Sequence, residues 1–154
     1  MPHTPEQQLV RFFHFLDARR YDRLLDLMTP DAYWLRQGQP LRGREQALQT
    51  LQGRHAGMRV RHAVTNVVCD DDERDPVWQA HAEALAIGAA HDSVFTSHYL
   101  TAYRFDDPAD QAPPWRIPGP HKFSVVHTRF VRAQEGWRIA AQLMLPEFVF
   151  DEHA

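Results

Sequence analysis

Apolar positions recur with a helical period in the early part of the chain and with a strand period from Met58 onward. Leu9, Phe12, Phe13 and Leu16 fall at i, i+3, i+4 and i+7, one stripe of an amphipathic helix. Thr4-Pro5-Glu6-Gln7 opens that helix: a threonine to cap it, a proline at its first position and a glutamine three residues after the cap. Leu24, Leu25, Leu27 and Met28 predict a second, short helix. It stops near Thr29-Pro30, because proline disfavours helix in the residue before it. Tyr33 and Trp34 lie in a short predicted strand, residues 32–36, and Gln37-Gly38-Gln39-Pro40 reads as a turn. A third helix is predicted over residues 43–52, with Ala47, Leu48 and Leu51 inward and Gly53 as its stop.

After Met58 the pattern alternates. Val60, His62, Val64, Asn66 and Val68 share one face of a strand, and residues 70–76 form an acidic turn. Further strands are predicted over 77–89, 94–105, 122–132 and 137–148. The stretch from Asp106 to Pro120 holds five prolines and one glycine and is expected to be a loop. Helices first and strands afterwards indicate one α+β domain spanning residues 1–154. The expected form is a curved antiparallel sheet, a cone-shaped half-barrel wrapped around three N-terminal helices. Such a hollow suits a small molecule.

Composition narrows the function. The net charge of −3 argues against nucleic acid, which requires a basic face. No apolar run reaches the length of a membrane span, and the N-terminus has no apolar signal core, so the cytoplasm is the expected compartment. The single cysteine, Cys69, excludes an internal disulfide. Ten histidines show no zinc spacing, and there is no glycine-rich phosphate loop, so neither a metal nor a cofactor is expected. Lys122 is the only lysine, which reads as codon composition and weakens the arginines as functional signals.

Three stretches carry a resemblance: residues 15–24 at the first helix junction, residues 41–48 entering the third helix, and Arg61-His62-Ala63-Val64-Thr65-Asn66-Val67. With the closing Gly136-Trp137-Arg138-Ile139-Ala140, they resemble the SnoaL-like branch of the nuclear transport factor 2-like superfamily. That resemblance implies the cone-shaped fold and a central pocket, but no single activity, because the fold hosts enzymes, accessory subunits and binding proteins. The positions used by ketosteroid isomerases hold Arg36, Phe12 and Val126 here, which cannot perform that chemistry. Scytalone dehydratases are a closer likeness: their catalytic aspartate and one histidine are similar in context to Asp17 and His62, and an active-site asparagine falls near His127. Aromatic-ring dioxygenase small subunits share the Arg-His-x-Val-x-Asn stretch, although they are mainly structural.

Asp17 lies beside the apolar stripe, where a lone carboxylate is costly, so it calls for a partner. His62, between Val60 and Val64, is the candidate. A carboxylate that fixes the imidazole tautomer makes a base able to take a proton next to a carbonyl. The first expectation is therefore a cofactor-free lyase or isomerase with dehydratase- or cyclase-like chemistry in an apolar pocket. Asp17, His62 and His127 are its candidate catalytic residues, and Tyr33, Trp34, Glu83 and Tyr99 its candidate substrate contacts. The ligand is expected to be small and apolar or aromatic. The alternative is a non-catalytic binding or accessory subunit, in which Asp17 and His62 form only a structural hydrogen bond. Trp78, Phe95 and Tyr103 are expected on the outward face, where they would pair two copies into a homodimer through the sheet.

Overall fold

The computed structural model describes residues 2–106 and 111–151. Its elements run α1 (Pro5–Asp17), α2 (Tyr21–Leu25), β1 (Met28–Arg36), β2 (Gln39–Arg42), α3 (Gly43–Gln52), β3 (Met58–Asp71), α4 (Pro76–Gln79), α5 (Ala82–Ala86), β4 (Ser93–Asp106), β5 (Lys122–Ala133) and β6 (Gly136–Val149). The fold is α+β. Thr4 caps α1 as expected, with its side chain on the Gln7 amide and the Gln7 side chain returning to the Thr4 amide.

The six strands form one open sheet in the order β2-β1-β6-β5-β4-β3. The sheet is mixed rather than antiparallel throughout, because β1 lies parallel to β6. That pairing joins the two ends of the chain, and no local pattern encodes it. The stripe Leu9, Phe12, Phe13 and Leu16 packs on the inner face against Trp34, Leu100, Val126, Phe130 and Ile139. Burying these large side chains contributes roughly 1.5–3 kcal/mol each.

Residues 77–89 are not a strand. They form α4 and α5, which cover part of the outer face. Alanine alternating with polar residues imitates a period of two, yet alanine has the strongest helix preference and a weak strand preference. Asp75-Pro76 starts α4 with proline at a first-turn position. Trp78 and Phe95 are consequently buried, packing edge to face with ring centroids 5.4 Å apart, among Tyr33, Ala84, Ala141 and Leu143. Of the three residues expected outward, Tyr103 alone is exposed. Arg129, buried beneath α5, donates to the Leu85 carbonyl at 2.6 Å.

The expected turn at 70–76 begins later, since β3 runs to Asp71. The alternation of β3 holds to Thr65. There a bulge intervenes, with Asn66 at φ 55°, a conformation asparagine tolerates. Beyond it the faces exchange: Val67 packs against the core and Val68 is exposed. Residues 111–121 form no helix or strand; residues 107–110 of the expected loop lie outside the described residues. Among the described residues, no helix is long and apolar enough to cross a membrane.

Candidate active site

Asp17 is the last residue of α1. The helix ends there because Arg19 turns into the left-handed region at φ 56°. Its guanidinium holds that turn by donating to the carbonyls of His55 at 2.6 Å and Met58 at 2.8 Å. The end of α1 is thereby pinned to the start of β3, and Asp17 meets His62. Their contact has two points. His62 Nδ1 lies 2.6 Å from Asp17 Oδ1, and the His62 backbone N–H donates to Asp17 Oδ2 at 2.8 Å. β3 is the edge strand, so this amide has no strand to pair with on that side. An ionised carboxylate only accepts, so Nδ1 carries the proton and Nε2 is left as the basic nitrogen.

Both side chains are largely buried, with 10% of His62 and 11% of Asp17 exposed. Phe13 packs on the imidazole with centroids 5.4 Å apart. His62 lines a cavity of about 80 Å³, while Asp17 stands behind it and does not line that cavity. The floor is apolar: Leu16, Met58, Val60, Leu100, Ala102 and Met144. The rim is not. Arg36, Arg54, Arg104, His121 and Lys122 line it, and no aspartate or glutamate does so among the described residues. The expected apolar pocket thus has an apolar floor beside basic side chains. Arg104 and His121 also line a neighbouring open recess of about 220 Å³ shared with Pro118, Gly119, Pro120, Phe150 and Asp151, which places the end of the proline-rich segment beside the pocket.

The other expected residues lie elsewhere. His127 is on the outer face of β5, because Ser124 and Val126, which share the opposite parity, face the cavity and the core. Its Nδ1 lies 3.4 Å from Asp71. Tyr99 is on the outer face for the same reason: Leu100 and Ala102 take the inward positions of β4, and Tyr99 is 42% exposed. It packs on Phe123 at 5.2 Å between centroids. Glu83 sits on α5 at the surface, hydrogen bonded through both oxygens to Arg42, which holds its carboxyl below the usual range. Tyr33 belongs to the buried cluster under α4 and α5. Trp34 is wholly buried against Phe12 and donates its indole N–H to Met144 Sδ at 3.1 Å, so it supports the cavity wall without lining it.

Sequence reasoning missed the cationic rim. A signal was present: Arg36 shares the strand parity of inward-facing Trp34. It also missed His98, buried on β4, with neither ring nitrogen hydrogen bonded among the described residues. Among the described residues, no group of three or more His, Cys, Asp or Glu could hold a metal ion.

The profile of the SnoaL-like domain family matches residues 6–142. Among solved structures, a protein from Novosphingobium aromaticivorans provisionally called a scytalone dehydratase superposes with a TM-score of 0.68 at 14% identity, over 97% of this chain and 85% of that one. A type 2 hexachlorocyclohexane dehydrochlorinase gives 0.65 at 14% identity, over 94% and 84%. A protein of unknown function with a cystatin-like fold, from Nostoc punctiforme, gives 0.63 at 14% identity, over 96% of each chain. At such identities the likeness establishes the fold alone. Among proteins of curated function, none matches this sequence.

Proposed function

The chain belongs to the SnoaL-like domain family, and from that premise we propose that it is a lyase or isomerase that moves a proton on a small molecule, with His62 as acid and base and Asp17 as its orienting partner. The observation that supports this reading is the two-point hold of Asp17 on His62 at the wall of a cavity. His62 Nε2 takes a proton from a carbon next to an electron-withdrawing group. Asp17 stabilises the imidazolium that results. The electron pair left on carbon forms a double bond. In elimination the leaving group departs, and a hydroxyl leaves as water with the proton from His62. In isomerisation the same proton returns to another carbon of the substrate. Neighbours called a dehydratase and a dehydrochlorinase fit either course of elimination. The setting proposed is the cytoplasm.

The second reading, a binding or accessory subunit, is favoured by one observation. Asp17 also covers a backbone amide of an edge strand, which is a structural task.

Solvent-deuterium exchange separates the two. A panel of small β-hydroxy and β-halo carbonyl compounds would be incubated with the protein in D2O and read by mass spectrometry. The wild type is expected to exchange at least one of them. His62→Asn should lower that rate by about 10²–10⁴-fold, while the unfolding midpoint stays close to wild type. Exchange that survives His62→Asn sinks the acid/base reading. A wild type that exchanges nothing leaves the binding subunit standing.

A further inference from the structure

The pocket rim gathers several basic side chains, and only some of them are ion-paired among the described residues. Arg104 is already paired with Asp106 at 2.8 Å, so it is spoken for. Arg36 and Arg54 are not. Neither has an ion pair among the described residues, although both line the cavity. The Arg36 guanidinium lies 5.7 Å from the centre of the Trp34 ring. Arg54 Nη1 donates to the Leu16 carbonyl and the Tyr21 hydroxyl, each at 3.1 Å, which fixes its place at the rim. Arg54 Nε is buried with no hydrogen-bond partner among the described residues. Burial, and then the nearby Arg54 charge, lower the Arg36 pKa from its ordinary value. A partly desolvated guanidinium beside a second positive charge is penalised, and an anion bound at Arg36 relieves that penalty. Guanidinium groups match a carboxylate through paired N–H donors.

We propose that Arg36 and Arg54 form a carboxylate subsite, so that the molecule entering this pocket is an organic anion whose charge lies at the rim and whose reacting carbon lies at His62. This deepens the acid/base reading and rests on it for the role of His62. Size limits the ligand as well. An engineered cavity of about 150 Å³ in another protein holds benzene, so a space of about 80 Å³ suits a smaller fragment. Anything larger continues into the recess beyond Arg104 and His121. The ligand is thus a short carboxylate, or a longer molecule ending in one.

Crotonate and its amide, crotonamide, have the same shape and differ in charge. Each would be titrated into the full chain at low ionic strength and followed by amide NMR shifts. Crotonate is expected to bind about tenfold more tightly than crotonamide and to weaken as salt rises. Arg36→Gln should remove that preference and Arg36→Lys should keep part of it; a thermal melt checks that both variants fold. Equal binding of the two probes overturns the subsite. So does a failure of both to bind at millimolar concentration, or a preference that survives Arg36→Gln. His62→Asn should leave the preference intact. A preserved charge preference in a protein that exchanges no deuterium would therefore reject the acid/base reading and keep the subsite. Exchange on neutral compounds without a charge preference would do the reverse.

Discussion

Phe13 separates two histidines on the inner face, with centroids 5.4 Å from His62 and 5.5 Å from His98. The same residue type, against the same neighbour, meets two different fates. His62 has a carboxylate on Nδ1 and lines a cavity. His98 is 1% exposed and has no hydrogen-bond partner on either nitrogen among the described residues. Burial, aided by the nearby His127, pushes its pKa down to about 4, so it stays neutral. The domain therefore has an open end, where polar groups are arranged around space, and a sealed end, where a polar group is tolerated because it sheds its charge. A histidine on the inner face is not informative by type alone; what occupies its nitrogens decides whether it can do chemistry.

The contrast breaks first at the sealed end. Phe12 is wholly buried, packed against Phe13 at 5.0 Å and Trp34 at 5.3 Å between centroids. Phe12→Ala should cost about 3–5 kcal/mol in a urea titration, the usual range for emptying an aromatic site. A cost below 1 kcal/mol, on the order of a surface change, would mean that this end is not sealed.

A second effect follows from His98. Its folded pKa lies below the unfolded value of 6.5, so the unfolded chain binds the extra proton between about pH 6.5 and 4. Stability from this group is full above that window, is lost as pH falls through it, and levels off below it. The loss is on the order of 3 kcal/mol. Subtracting the unfolding curve of His98→Leu from that of the wild type across this range isolates the term. A difference that does not change with pH would show that His98 titrates normally.

Helix α3 coincides with the stretch read from the sequence, and the stripe of α1 and the pairing partner of Asp17 were legible too. Each rests on neighbours in sequence or on one strongly patterned element. The outward placement of His127 and Tyr99 was not legible, because alternation shows that two faces exist without saying which faces the core. Glu83 was misplaced because its alanine neighbours imitate a strand. The cationic rim assembles from the ends of β1, β4 and β5 and the segment after α3, and no spacing in one dimension announces such a convergence.

The smallest effect lies where the two ends meet. Met144 lines the cavity and also accepts the Trp34 indole N–H. Met144→Leu conserves volume but removes that acceptor, for an expected cost of about 1 kcal/mol by denaturation. Crotonate affinity should change little. A loss of binding larger than the loss of stability would show that the ends are coupled through this side chain.

The two-point contact of Asp17 has a further consequence. β3 is the open margin of the sheet, and an uncovered amide there is a template on which a strand of another chain can dock. By occupying the His62 amide, the carboxylate that serves the imidazole also blunts the margin against aggregation. One side chain thus both orients the imidazole and covers the margin of the sheet. Asparagine at that position keeps an acceptor for the amide and alanine does not, so the hold on the imidazole and the cover of the margin are separable there by a single atom group.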